Sequence, residues 1–214
     1  QKRINYIKNQ KRDVLVSFCG SVRTKSREEA MDHCKKMKFK RNKFRGMWNG
    51  TLCEFIDSES YRNSNKHKRA IEISLAKQCI KLYERSVFCI QEGADSNTRK
   101  GIWDGIISGC IPVFLNGVMT EEFDCYGREL YPWYVVVQSG LYVKQLIGLS
   151  DEYISLMKKN ILKLLPRIVY TNGNSGWNDA YDVILMCLLR KSRYQNIIND
   201  PNCNIDDMIK QEWW

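Results

Sequence analysis

The sequence predicts an α/β fold: a Rossmann-like parallel sheet with helices on both faces. Short apolar runs alternate along the chain with capped, amphipathic segments long enough to be helices. The composition is that of an ordinary globular chain, 43% hydrophobic and 27% charged over 214 residues, which excludes disorder, collagen and coiled coil as whole-chain readings. The best apolar run, Val183 to Leu189, falls far short of the roughly 20 residues that span a bilayer, so no transmembrane segment is expected within these residues.

The elements follow in order. Val14 to Phe18 reads as a buried strand running into a tight turn at Cys19-Gly20-Ser21. Ser26 then stands three residues before Glu29, the spacing of a capping box, and predicts a helix to about Met37. Thr51 to Ile56 is expected to be a second strand. Lys68 to Tyr83 places Ile71, Leu75, Ala76, Ile80 and Leu82 at helical spacing. Ser86 to Ile90 reads as a third strand. A polar loop follows over Gln91 to Thr98, and then a helix from about Arg99 to Ser108, which Gly109 terminates. Ile111 to Leu115 is a fourth strand and Trp133 to Val137 a fifth. Helices are expected over Asp151 to Leu165, Asn178 to Arg193 and Ile205 to Trp214. The predicted organisation is a basic lead-in over 1–12, a Rossmann-like domain over 13–149, and C-terminal helices over 150–214 packing on that domain.

Charge is uneven. Up to Arg45 there are 15 Lys and Arg against 4 Asp and Glu; the rest has 19 against 20, so the net +10 arises entirely in the first fifth. Its densest piece, Lys35 to Arg45, fits a polyanion site or a solvated helix end; Met37, Phe39 and Phe44 interrupt it as anchors and favour the second. Nine cysteines leave at least one outside intrachain pairs. No CxxC exists, and with only His33 and His67 available no structural zinc site is expected. Cys19, Cys89 and Cys187 lie in apolar stretches and read as small buried hydrophobes. The cysteine count is compatible with a reducing cytosol or with one or two disulfides in a secretory lumen. One glycosylation sequon, Asn49-Gly50-Thr51, is present. The sequence opens on Gln1 rather than Met, without a signal-peptide pattern, which predicts a parent protein with residues upstream.

In parallel sheets ligands bind beyond the carboxyl ends of the strands. That singles out Gly20, Ser21 and Arg23 after the first strand. Gln91, Glu92, Gly93, Asp95, Ser96, Thr98 and Arg99 follow the third, and Asn116 and Gly117 the fourth. The third loop is the most informative. Ser96 and Thr98 can cap the next helix, whose free amides attract phosphate, and Arg99 adds a guanidinium that can fork onto phosphate oxygens. This suits a diphosphate better than a base or a lipid. Plain capping and a surface arginine are the alternative.

The run Ser86 to Leu115, SVFCIQEGADSNTRKGIWDGIISGCIPVFL, resembles the exostosin superfamily, glycosyltransferase family 47, and looks closest to the branch containing plant xyloglucan galactosyltransferases. SFCGSVR with the following Arg27 and Cys34 resembles the family's strand–Gly–Arg segment, and WNDAYDVIL, Trp177 to Leu185, its closing helix. Trp133 occupies the place of a further, poorly matched family segment. Family members usually have Pro-Pro-Gly-Asp where this chain has Glu92-Gly93-Ala94-Asp95. They are also longer, with two Rossmann-like domains facing a cleft. The resemblance therefore implies the C-terminal, donor-binding half of a GT-B glycosyltransferase, with an acceptor-binding half upstream.

What the resemblance implies is an inverting hexosyl- or pentosyltransferase. It would transfer sugar from a UDP-linked donor such as UDP-xylose, UDP-galactose or UDP-glucuronate to a carbohydrate hydroxyl, with no metal and no further cofactor. Gly20, Ser21, Arg23, Arg27, Gln91, Asp95, Ser96, Thr98, Arg99 and Asp104 would line the nucleotide sugar. Asp104 could equally be a helix-packing carboxylate. Glu54, Asp57, Glu92 and Asp95 are the carboxylates that could reach a cleft; none stands out as the base, and Asp95 is the catalytic candidate. Asp179 and Asp182 read as structural. Other classes stay open: a basic nucleic-acid-binding module, which lacks any known recognition motif here, or a non-catalytic carbohydrate-binding relative. The compartment would be the Golgi lumen for an anchored plant or animal parent, or the cytoplasm for a viral or unanchored one.

Overall fold

The computed structural model describes residues 2–39, 48–59, 68–92, 99–115, 130–170 and 179–198. The apolar runs are indeed strands: β1 (Val14–Gly20), β2 (Thr51–Asp57), β3 (Ser86–Ile90), β4 (Ile111–Leu115) and β5 (Val135–Val137). They form one sheet in the order β2-β1-β3-β4-β5, with every neighbouring pair parallel. Val16 lies opposite Cys53 and Phe88, and Ser17 opposite Glu54 and Cys89. A parallel sheet covered on both faces needs strands apolar on both faces, and β3 and β4 are buried at every residue.

Between the strands run α1 (Lys2–Asn9), α2 (Lys25–Phe39), α3 (Lys68–Arg85), α4 (Lys100–Ile107), α5 (Tyr142–Ile147), α6 (Asp151–Ile168) and α7 (Ala180–Ile198). Two disulfides show which helix covers which face. Cys34 on α2 is bonded to Cys53 on β2, and Cys19 at the end of β1 to Cys79 on α3. Because side chains alternate along a strand, Val14, Val16 and Phe18 face the α2 side, and Leu15, Ser17 and Cys19 the α3 side. On the first side the buried Tyr142 hydroxyl of α5 donates to the Ala30 carbonyl of α2 at 2.9 Å. On the second, Cys19, Tyr83, Cys89 and Cys110 form a buried cluster. Each large apolar side chain so enclosed contributes about 1.5–3 kcal/mol.

Several expectations are corrected. Cys19 is not a free hydrophobe but a disulfide partner, and Cys187 is disulfide-bonded as well; among the three cysteines read as buried, Cys89 alone is free. Helix α2 begins one residue ahead of the expected cap. The Thr24 carbonyl accepts from the amides of Arg27 and Glu28, so Ser26 already lies in the first turn. The fifth strand starts at Val135, because Trp133 and Tyr134 pack inward as buried aromatics, edge to face at 4.8 Å. Helices α1 and α5 were not expected. Ile7 of α1 is buried, and Arg3 ties that helix down through the Ile107 carbonyl (2.9 Å) and Glu84 (2.9 Å). The predicted helix over Ile205 to Trp214 lies outside the described residues.

The chain divides into two compact units, residues 1–165 and 166–214. The second contains α7, whose start is built by the Asp-Ala-Tyr-Asp segment. The Asp179 carboxylate accepts from the Tyr181 amide at 2.8 Å, and Asp182 reaches back to the Asp179 amide at 3.1 Å. These two acids are a reciprocal helix cap, as expected of structural residues. No described helix is long and apolar enough to cross a membrane.

Candidate functional site

A sheet of order 2-1-3-4-5 reverses its winding between β1 and β3, and the crevice beyond the carboxyl ends of those strands is where such folds hold ligands. The described residues there are Gly20, Ser21 and Arg23 after β1, Gln91 and Glu92 after β3, and Arg99 at the start of α4. Asp95, Ser96 and Thr98, with Gly93, Asn116 and Gly117, lie outside the described residues.

Two guanidinium groups converge on one ring. Phe18, 1% exposed, has Arg27 at 5.5 Å and Arg99 at 5.1 Å from its centroid. Arg27 is buried at 5% exposure. It donates to the Ser21 carbonyl and the Glu92 carbonyl, each at 2.8 Å, so one side chain fastens the loop after β1 to the loop after β3. Its place is therefore that of a brace between the crevice walls.

Arg99 occupies the N-cap position of α4 and makes no side-chain cap bond. Its Nη2 donates to the Cys19 carbonyl at 2.7 Å, an oxygen that also accepts from the Tyr83 hydroxyl at 3.3 Å. Its Nη1 is buried and has no hydrogen-bond partner. Beside it, Gln91 is fully buried, its side-chain amide against the Tyr83 phenol, whose pKa burial drives well up and whose proton goes to the Cys19 carbonyl. Buried polar atoms normally find partners. Arg99 Nη1, without one at the switch point, marks where a polar ligand would complete the set.

Glycines make room for this arrangement. A Cβ on Gly20 would stand 2.7 Å from Arg99 Nη2 and 3.0 Å from the Phe18 ring. One on Gly101 would stand 2.9 Å from both Arg99 Nε and Gln91 Oε1. The small residues of the motif thus let Arg99 and Gln91 lie against the strand ends and the first turn of α4.

Ser21 and Arg23 meet a residue the sequence reading passed over. Arg23 grips the Glu59 carboxylate bidentately, at 3.0 and 3.1 Å, and the Ser21 hydroxyl donates to the same carboxylate at 2.9 Å. These hydrogen bonds hold the Glu59 carboxyl below its ordinary pKa, Arg23 first and Ser21 second. Asp57 accepts the Glu59 amide at 3.0 Å. Extending the strand-end rule to β2 would have found this pair. Glu54, further back on β2, faces Arg85 at 3.4 Å. Asp104 sits a turn into α4, where Lys100 Nζ approaches both carboxylate oxygens at 2.6 Å. It is thereby a helix-surface ion pair, not brought together with Arg99. Among the described residues no group of three or more His, Cys, Asp or Glu is arranged to hold a metal ion.

The exostosin GT47 domain matches residues 1–129. "Probable xyloglucan galactosyltransferase GT15" of Arabidopsis thaliana is 30% identical over 84% of this chain and 38% of its own length. "Probable xyloglucan galactosyltransferase GT12" of the same plant is 33% identical over 52% of the chain and 24% of its own. "Xyloglucan galactosyltransferase MUR3", also from that plant, is 22% identical over 97% of the chain and 33% of its own. The chain thus spans little more than a third of these relatives at most.

Proposed function

Because the chain belongs to the exostosin GT47 domain family, we propose that its parallel sheet holds the nucleotide-sugar donor of an inverting glycosyltransferase, with the diphosphate in the crevice between β1 and β3. What supports this reading above all is the unsatisfied Arg99 Nη1 beside Gln91 at that crevice. A diphosphate oxygen accepts from a guanidinium and from the free first-turn amides of α4 together.

In the reaction, the acceptor hydroxyl oxygen attacks the anomeric carbon from the face opposite the diphosphate. The bond to the diphosphate breaks, and a base takes the hydroxyl proton. Charge grows on the leaving phosphate oxygen, where prepositioned donors are worth most. Arg99 and the α4 amides supply them, and Arg23 adds to them by sharing its fork with Glu59. Arg27 keeps the two loops at fixed separation, so the donor is held in line. Asp95 is our candidate base. With these cations in place the reaction needs no metal. The relatives' names make UDP-galactose the first donor to test, alongside UDP-xylose and UDP-glucuronate, with a carbohydrate acceptor.

The test is thermal unfolding with UDP and each UDP-sugar. A ligand of the native state raises Tm with concentration by mass action. The expected result is a UDP-dependent rise that survives excess EDTA. No response to any uridine ligand, with a salt-sensitive rise on adding oligonucleotides, would reject the reading in favour of the basic nucleic-acid module. A rise abolished by EDTA and restored by Mn²⁺ or Mg²⁺ would show that the metal-free part is wrong.

A further inference from the structure

We propose that Asn49 carries an N-linked glycan, added in an oxidising secretory lumen, at the end of the sheet opposite the candidate site. This does not rest on the donor reading. Three independent observations carry it.

The first is the sequon. Asn49-Gly50-Thr51 is the one Asn-x-Ser/Thr triplet in the 214 residues. The second is its placement. Asn49 is exposed, in the turn that leads into β2, while its two neighbours are pinned. The Thr51 amide donates to the Asp13 carbonyl at 2.7 Å, and Trp48 Nε1 closes the turn on the Thr51 carbonyl at 3.1 Å. Gly50 lies so close to the Asp13 backbone that a Cβ there would collide with its carbonyl. The middle position therefore admits only glycine, and the turn directs Asn49 outward. Asn49 borders an open groove of about 520 Å³ that also touches Lys11, Asp13, Trp48 and Asp151, so space surrounds the amide. Seven residues of β2 separate this turn from Glu59 and the crevice, about 20 Å at 3.3 Å per residue.

The third observation is the compartment. Of the seven described cysteines, Cys19, Cys34, Cys53, Cys79 and Cys187 are in disulfides, and Cys89 and Cys110 are buried thiols. Disulfides persist where proteins are secreted and are rare under cytosolic reduction. The machinery that modifies sequons works in that same lumen. Its donor is a lipid-linked diphosphate oligosaccharide. Asn49 Nδ2 forms a bond to the anomeric carbon, the bond from that carbon to the diphosphate breaks, the diphosphate departs with the electron pair, and the amide releases one proton.

The experiment routes the chain through the secretory pathway of a eukaryotic host and maps its peptides. Expected is a single downward mobility step on digestion with peptide-N-glycosidase, Asn49 read as Asp afterwards, and the Cys19–Cys79 and Cys34–Cys53 links in the same map. Asn49→Gln removes the step, Thr51→Ser keeps it, and Asn49→Gln leaves the Tm response to UDP as it was. Secreted, disulfide-linked wild-type chain with unmodified Asn49 overturns the proposal without recourse to any variant. So does reduced chain bearing all its cysteines as thiols.

Discussion

Two arginines, one at each end of the sheet, have opposite fates. Arg12, ahead of β1, is half-buried beneath the amino ends of the strands and gives its guanidinium to three carbonyls. Nη1 serves Tyr83 at 2.9 Å and also Ser86, and Nη2 serves Ser108 at 2.8 Å. It joins the end of α3, the start of β3 and the end of α4. Desolvation lowers its pKa. Arg99, beyond the carboxyl ends, answers one carbonyl and leaves Nη1 buried and empty-handed. Folding stability alone favours the first pattern, because each unmet buried donor costs about 1–3 kcal/mol. An unsatisfied donor at a strand switch point is what a binding site retains for its ligand.

The largest effect should come from breaking the closed end. Arg12→Met strands three carbonyls at once and should lower unfolding free energy by about 3–5 kcal/mol in urea titrations. A loss under 1 kcal/mol would mean that water replaces the guanidinium and that the closed end is not a brace. At the open end the ranking reverses between stability and binding. Arg99→Ala should weaken UDP by about 1.5–3 kcal/mol in calorimetry, the scale of a hydrogen bond to a charged group, yet cost less stability than Arg12→Met. Lys36→Ala, on the exposed side of α2, should leave UDP affinity unchanged. Equal losses from Arg99→Ala and Lys36→Ala would place the nucleotide on the basic run instead.

A subtler change sharpens the contrast. Gly101→Ala places a methyl 2.9 Å from Arg99 Nε and Gln91 Oε1, so both side chains must shift. The crowding costs about 1 kcal/mol, while replacing glycine in a helix returns about 0.5–1 kcal/mol. Stability should therefore stay nearly level and UDP affinity fall roughly fivefold, for a loss of about 1 kcal/mol. A variant that binds UDP as before would show that Arg99 does not need its present position.

Much of this was legible in the sequence for a physical reason: strand position and ligand position are linked in parallel sheets. Apolar runs gave β1, β3 and β4 as neighbours, and the residues after them gave Gly20, Gln91 and Arg99. Gly109, at φ +69°, ends α4 as its spacing predicted. What was illegible depends on pairing across distance. Cys19 looks like a core residue in its own strand; that Cys79, sixty residues on, lies against it is a property of the assembled layers. In the sequence Arg23 and Arg27 are both candidates to contact a diphosphate, Arg23 the stronger; only the assembled structure shows that Arg27 spans two loops and that Arg23 holds Glu59. Short elements such as α5 carry too few residues for periodicity to declare them.

The smallest predicted effect concerns Glu59, and it tests whether the rim of the crevice is held by charge. Arg23 is 63% exposed and Glu59 38%, so solvent screens their pairing and its stability contribution is small. Its sign is still definite. The folded-state pKa of Glu59 lies below the ordinary glutamate value of about 4.3, by hydrogen bonds from Arg23 first and Ser21 second. A carboxyl with a lowered folded pKa stabilises the native state above its unfolded pKa, and the contribution fades as pH falls from there through the folded value. Wild type should therefore melt slightly above Glu59→Gln at neutral pH, and the two curves should merge as pH falls through the lowered folded value. High salt should shrink the neutral-pH gap by screening the pair. In UDP titrations at neutral pH, Glu59→Gln should bind at least as tightly as wild type, because its loss frees the Arg23 fork for phosphate. Weaker binding would mean that Glu59 positions Arg23 for the donor rather than competing with it.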